Sequence, residues 1–256
     1  MKYTDVNAEA IDRWADSGWE WSEPVTHETY QAARAGKWDV LLSPNRPVPH
    51  IWFKPYIKNE RLDRVKILGL ACGGGQQAPI FAALGSDCAV MDYSQRQLDR
   101  ERYVSAREGY DIRIIRADMT ERLPFDDDSF DIIFHPVSNC YIEDVYHVWN
   151  ECFRVLRHGG ILLAGMDNGY NFLFDDESAR PRVVSNRFPF NPVKNPDQWE
   201  KDKGEAYQFS HTLEEQIGGQ LKAGFRLTDV YEDTNNDPDS IAEGIPAYWV
   251  TRAVKE

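Results

Sequence analysis

The sequence predicts an α/β protein built on a doubly wound sheet, and three observations support it. Short apolar runs alternate with amphipathic segments from Arg64 to Ala164, the pattern of a parallel sheet wrapped by helices. The first run, residues 65–71, leads straight into Gly73-Gly74-Gly75. A strand, a glycine turn and a helix in that order commonly seat nucleotide-like ligands, with exposed N–H groups in the turn. Two further runs, residues 225–231 and 247–254, close the chain with no helix between them, so they pair most simply as antiparallel neighbours.

Each element has a local reason. After the first strand (65–71), residues 78–84 form a short helix. Residues 88–91 form the second strand, ending on Asp92. The helix 94–107 has Ser94 as N-cap, and Glu101 and Arg102 sit among Arg96, Arg100 and Arg107 as a solvated charged face. The third strand is 112–115. Pro124 and the aspartates of 126–131 mark a turn, and residues 132–137 form the fourth strand. Val145, Val148, Trp149, Cys152 and Leu156 recur near a 3.6 period, which predicts a helix over 145–156. His158-Gly159-Gly160 stops it, and 161–164 is strand five. Thr212 with Glu215 reads as a capping box opening a helix through Ile217 and Leu221.

Two regions stand outside this alternation. Residues 1–62 carry Trp14, Trp19, Trp21, Trp38 and Trp52 with five prolines, too aromatic for a disordered tail. They are expected to form an extension capping the site. Residues 63–256 form the main domain, with an insert at 168–210 that embeds Phe172, Phe174, Phe188, Phe190 and Trp199. Such an insert after a core strand often adds a lid or substrate contacts.

Composition narrows the function classes. The chain has 256 residues, 42% of them hydrophobic, enough for one large domain with an appendage. No apolar run is long enough for a membrane span. Residues 1–16 carry Asp5, Glu9, Asp12 and Asp16 and do not read as a secretory signal. The cysteines, Cys72, Cys88, Cys140 and Cys152, form no C-x-x-C pair and no zinc spacing, which suggests free thiols in a reducing cytoplasm. The net charge of −13 argues against gripping nucleic acid through a basic surface. It favours a neutral or cationic small substrate and leaves RNA or protein acceptors open. Oligomeric state has no signal here.

The candidate site residues follow the strand ends. Gly73 to Ala78 fits G-x-G-x-x-A, a weak match to the dinucleotide fingerprint. Asp92 can accept from both hydroxyls of a ribose, or serve as a turn residue before Ser94. Asp118 can accept from an adenine amino group, with Met119 and Tyr93 against the ring. His135 reads as a general base, a cofactor contact or a satisfied strand-end histidine. Asn139 and Tyr141 are candidate substrate contacts, and Trp52 a candidate wall of the site. Asp126, Asp127, Asp128 and Asp131 lack the spacing of a calcium loop and read as a solvated turn rather than a metal site.

Taken in order, these motifs resemble a known family. They are the glycine turn, Asp92, Asp118, the Leu123-Pro124-Phe125 to Ser129-Phe130-Asp131 segment, and Cys152-Phe153-Arg154-Val155-Leu156-Arg157-His158-Gly159-Gly160. This region, about residues 64–166, resembles class I S-adenosylmethionine-dependent methyltransferases of the type-11 methyltransferase-domain group. The resemblance implies a seven-stranded Rossmann-like sheet of order 3-2-1-4-5-7-6 with strand 7 antiparallel. It implies S-adenosylmethionine as cofactor, with Ala71, Gly73, Gly75 and Gln76 toward the methionyl part, Asp92 on ribose, and Tyr93, Asp118 and Met119 around adenine. His135 then lies near the methionine end. The family's acidic residue and following glycine are replaced by Gly69 and Ala71, so carbonyls, Gln76 or the N-terminal segment must hold the cofactor's amino group. The implied activity is methyl transfer to a small acceptor. An NAD-dependent oxidoreductase, motivated by G-x-G-x-x-A, and a non-catalytic cofactor-binding regulator are the alternatives.

Overall fold

The structure, a computed structural model, describes residues 2–173, 188–195, 205–234 and 246–256. Seven strands form one sheet: β1 (Lys66–Leu70), β2 (Asp87–Asp92), β3 (Arg113–Arg116), β4 (Phe130–His135), β5 (Leu156–Asp167), β6 (Phe225–Thr234) and β7 (Pro246–Lys255). Their order is β3-β2-β1-β4-β5-β7-β6. The first five run parallel, and β7 runs antiparallel to both β5 and β6. The carboxyl ends of β1 to β5 therefore share one edge with the amino end of β7, where Asp167 pairs with Tyr248. The strand order reverses between β1 and β4, which opens a crevice at that edge.

Burial explains the strands. Every residue of β4, the sequence Phe-Asp-Ile-Ile-Phe-His, is buried, as expected for a central parallel strand covered on both faces. One face packs beneath α3 (Gln77–Ala83), where Ile67, Phe81 and Phe134 meet Leu42, Trp52 and Phe53 of the N-terminal region. The other face packs beneath α5 (Val145–Val155), through Leu68, Ile133, Trp149 and Leu162.

The expected caps are present. Ser94 accepts from the Gln97 N–H to open α4 (Gln95–Glu108). Thr212 and Glu215 exchange backbone and side-chain hydrogen bonds. The helix they open begins as a π turn over Glu214–Gly218 and continues as α6 (Gly219–Ala223). Helix α5 ends at Val155, not Leu156, and His158-Gly159-Gly160 lies inside β5. Leu156 is fully buried opposite Phe130, so its core contact draws it into the strand. Three aspartates of the predicted solvated turn form ion pairs, Asp127 with Arg154, Asp128 with Lys255 and Asp131 with Arg157, each at 2.8 Å, and Asp131 is buried rather than solvated.

The N-terminal region is built into the core. It contains α1 (Tyr3–Asp16) and α2 (His27–Arg34). The Leu42 carbonyl accepts from the Val137 N–H at 3.1 Å. Arg252 of β7 donates to the carbonyls of Trp52 and Lys54, both at 2.7 Å. Among the described residues no helix is long and apolar enough to cross a membrane.

This region comes close against the sheet at Gly165 of β5. A Cβ there would lie 2.0 Å from the Leu42 carbonyl oxygen. Gly165→Ala should therefore destabilise the protein by about 1–3 kcal/mol. Urea unfolding measures this, and an unchanged midpoint would show that residues near Leu42 move aside freely.

Candidate active site

A cavity of about 680 Å³ opens at the carboxyl edge of the sheet, within the size range of sites for small organic ligands. It lies across the switch point between β1 and β4.

Its floor is the turn after β1. Ala71 has a φ of +47°, in the left-handed region that costs an alanine about 1 kcal/mol. The three glycines that follow have all their N–H groups committed. Gly73 donates to Asp92 Oδ2 at 3.1 Å, Gly74 to the Gln97 carbonyl at 3.0 Å, and Gly75 to Glu101 Oε1 at 2.7 Å. A Cβ on Gly73 would lie 2.5 Å from Gln97 Cβ, and one on Gly74 would lie 2.7 Å from the Trp21 carbonyl. The glycines are thus required by packing against α4 and the N-terminal region. The expected exposed glycine N–H groups are not there, so the three glycines themselves offer no donors to a pyrophosphate. Ala71, Gly73 and Gln76 line the cavity, whereas Gly75 does not. Gln76 Nε2 donates to the carbonyls of Glu20 and Glu23 at 2.8 and 3.0 Å.

Asp92, Tyr93, Asp118 and Met119 all reach the cavity, as their strand-end positions predicted. Asp92 accepts from the N–H groups of Gly73 and Ser94. Burial pushes its carboxyl above the usual range, and these backbone donors oppose that shift. Each carboxylate oxygen keeps a further lone pair for a ligand hydroxyl. Tyr93 donates to Asp5 of α1 at 2.7 Å. Asp118 Oδ1 accepts from the Thr120 N–H and hydroxyl at 2.9 and 2.7 Å.

Besides Gly75, three expected site residues lie elsewhere. His135 is fully buried under the floor, with Nδ1 2.9 Å from the Leu70 carbonyl and Nε2 2.8 Å from Asn139 Oδ1. It does not line the cavity, and burial holds its pKa below the usual histidine value. It is a neutral strut rather than a base, because its ring turns inward from the strand end: Nδ1–H donates to the Leu70 carbonyl, and Nε2 accepts once the Asn139 amide is turned to present its Nδ2. Asn139 is likewise fully buried, bridging His135 and Gln216. Trp52 packs on Tyr231 at 5.2 Å in the core. Phe174 and Trp199 fall outside the described residues.

Tyr141 does line the cavity. Burial, followed by the nearby Cys140, Tyr248, Asp167 and Glu205, pushes its hydroxyl well above the usual range, so it stays a neutral phenol. Past it the cavity runs to the ends of β5 and β7. There Asp167, Tyr248 and Glu205 line the wall with Phe172 and Phe190, whose rings stack at 5.9 Å. Helix α1 contributes Asn7, which donates to the carbonyls of Tyr141 and Tyr207 at 2.9 and 3.0 Å. Trp19 and Trp21 close another side. Among the described residues the wall carries four carboxylates, Asp92, Asp118, Asp167 and Glu205, and no lysine, arginine or histidine.

Sequence reasoning missed Asp167 and Tyr248, and it expected the N-terminal extension to cap the site without singling out Trp19 or Trp21. Only Asp167 carried a usable signal, an acid at the carboxyl end of a predicted parallel strand. Tyr248 enters from the amino end of an antiparallel strand, where that rule gives no warning.

Comparison with known proteins places this site in context. A family model described as a methyltransferase domain matches residues 68–164. An uncharacterised methyltransferase, YbaJ, of Bacillus subtilis (strain 168) is 38% identical over 256 aligned positions, covering 97% of each chain. Among solved structures, an S-adenosylmethionine-dependent methyltransferase of Mesorhizobium loti superposes with a TM-score of 0.59 at 20% identity. That match covers 75% of this chain and 91% of the other. A putative methyltransferase of Haloferax volcanii, solved in complex with the Trm112 activator, superposes with a TM-score of 0.55 at 16% identity. It covers 98% of this chain and 97% of its own. At such identities the structural likeness speaks to fold alone.

The buried histidine gives the site a pH signature. A pKa depressed in the folded state favours the neutral ring. Its contribution to stability is present above the unfolded value near 6.5 and is lost as pH falls through the folded value. Wild-type stability should therefore drop between about pH 7 and pH 5, and His135→Asn should lose part of that slope. Buried His211, also depressed, keeps the remainder. Equal slopes in urea unfolding at the two pH values would contradict the neutral strut.

Proposed function

This chain belongs to the class I S-adenosylmethionine-dependent methyltransferases, and from that premise we propose that it methylates a small, neutral or cationic molecule. The acceptor sits at the β4–β5–β7 end of the cavity, and the cofactor lies over β1, β2 and β3. The residues present fit that cofactor. Asp92 offers lone pairs for two ribose hydroxyls, Asp118 an acceptor for an exocyclic amine, and Met119 and Tyr93 apolar surface for a purine. The observation that carries this assignment is the glycine turn, whose three N–H groups are all taken by protein acceptors. Such a turn suits a ligand without phosphates, and so favours this cofactor over a dinucleotide.

Gly69 stands where the family has an acid. A Cβ there would lie 2.8 Å from Cys72 Sγ, so the thiol occupies that space. In this reading the cofactor's amino group is held by turn carbonyls beside Ala71 and Gly73. The N-terminal extension caps the cofactor half through α1, Trp19 and Trp21.

When bound, the cofactor supplies an electrophilic methyl group on a sulfonium, so the protein need not generate a strong nucleophile. Its task is alignment and exclusion of water. Tyr141 and Asp167 orient the acceptor beside the methyl, and Phe172 and Phe190 exclude solvent. His135 takes no part in proton transfer. The carboxylate-rich wall repels anionic acceptors, which supports a neutral or cationic one. Four free, buried cysteines fit a cytoplasmic setting.

Calorimetry with S-adenosylmethionine and S-adenosylhomocysteine tests the cofactor site. Both should bind, and Asp92→Ala should weaken S-adenosylhomocysteine at least about tenfold, roughly 1.4 kcal/mol. An unchanged constant would remove Asp92 from the ribose. With labelled cofactor and a cell extract, label should enter the low-mass fraction. Label confined to RNA or protein would refute a small acceptor.

A further inference from the structure

Glu101 has no assigned role and an unusual setting. The sequence places it on a charged helix face, yet it is fully buried in α4 beneath the glycine turn. Its Oε1 accepts from the Gly75 N–H at 2.7 Å. Its Oε2 is buried without a hydrogen-bond partner. One helical turn earlier Gln97 Oε1 is buried and unpartnered too, on a side chain that packs against Gly73.

An ionised carboxylate has only acceptors. It would leave two buried oxygens unsatisfied and one buried charge unpaired, which is costly. The neutral acid carries a donor. That proton can serve a neighbouring acceptor, and Gln97, four residues earlier on the helix, is the neighbour with a buried, unpartnered oxygen. The titratable groups around Glu101 offer no positive charge. They are Asp92 at the end of β2, Cys72 in the turn, Cys88 in β2 and Tyr110 after α4.

We propose that Glu101 is the positioning residue of the cofactor turn and that it works as a neutral carboxylic acid, which makes cofactor binding sensitive to pH. This role presupposes the cofactor assignment above. Burial, with the charge of Asp92 adding to it, pushes Glu101 up to about 8. The Gly75 hydrogen bond, which opposes that shift, is kept by the neutral acid through its acceptor Oε1 and fixes the floor shared with Gly73 and Ala71. A ligand over Asp92 removes water that screens Asp92 from Glu101, and so favours the proton further. Affinity then falls as pH rises past about 8.

The test compares wild type with Glu101→Gln, a neutral side chain of the same shape that keeps the acceptor for Gly75. S-adenosylhomocysteine affinity is measured by calorimetry from pH 6 to 9.5. The ligand's own amine titrates equally against both proteins and cancels in their ratio. The wild-type Kd should rise about tenfold relative to the variant between pH 7 and pH 9. Parallel profiles would overturn the proposal, as would a folded Glu101→Gln protein that fails to bind at pH 7. Infrared spectroscopy of the unliganded wild type supplies a second readout. A protonated-carboxyl C=O band should persist at pH 7, fall by about half near pH 8 and be nearly gone above about pH 9, and its absence at pH 7 would refute the neutral acid even if the variant does not fold. If wild type binds no S-adenosylhomocysteine at pH 7, the cofactor assignment fails, and the infrared result still decides the state of Glu101.

Discussion

The turn between β1 and α3 is the constraint on which the rest of the site depends. Three residues without side chains let α4 close on one side of the turn and the N-terminal region on the other. Gly73 and Gly75 are tied to the β2–α4 side through Asp92 and Glu101. On the outer side the Val25 N–H donates to the Gly75 carbonyl at 2.9 Å, and Gln76 holds the carbonyls of Glu20 and Glu23. The wall formed by Trp19 and Trp21 is thus set by the same few residues that set the floor. A side chain at Gly74 would press on both at once, on the Trp21 carbonyl and on Gln97.

Sheet topology then divides the work. The order β3-β2-β1-β4-β5-β7-β6 puts the ribose and adenine candidates at the ends of β2 and β3. It leaves the ends of β4, β5 and β7 for whatever receives the methyl group. Helix α1 spans the two halves. Tyr93 reaches Asp5 on the cofactor side, while Asn7 binds both the segment after β4 and the segment before α6. One helix therefore registers both halves of the cavity.

Much of this was legible in the sequence, for identifiable reasons. Alternating apolar runs marked each strand, and a carboxylate just beyond a parallel strand, as at Asp92 and Asp118, lies at the ligand edge whatever the details. The directions of side chains past a strand end were not legible. His135 and Asn139 turn inward because they meet Leu70, 65 residues away, and Gln216, 77 residues away. Periodicity holds no record of such partners. Trp52 looked like a wall because aromatics near a site often are, yet Arg252 and Tyr231 hold it in the core. Glu101 looked solvated beside four arginines, and the need of Gly75 for an acceptor draws it inside. The glycine triplet was read as a turn with exposed N–H groups, whereas protein packs against it and takes those groups.

The most direct test of the account is a crystal structure of the full chain with S-adenosylhomocysteine bound. The account predicts ribose hydroxyls on Asp92, the purine between Met119 and Tyr93 near Asp118, and the sulfur facing the pocket of Tyr141 and Asp167. A nucleoside bound with its ribose away from Asp92, or its sulfur turned from β5, would contradict it.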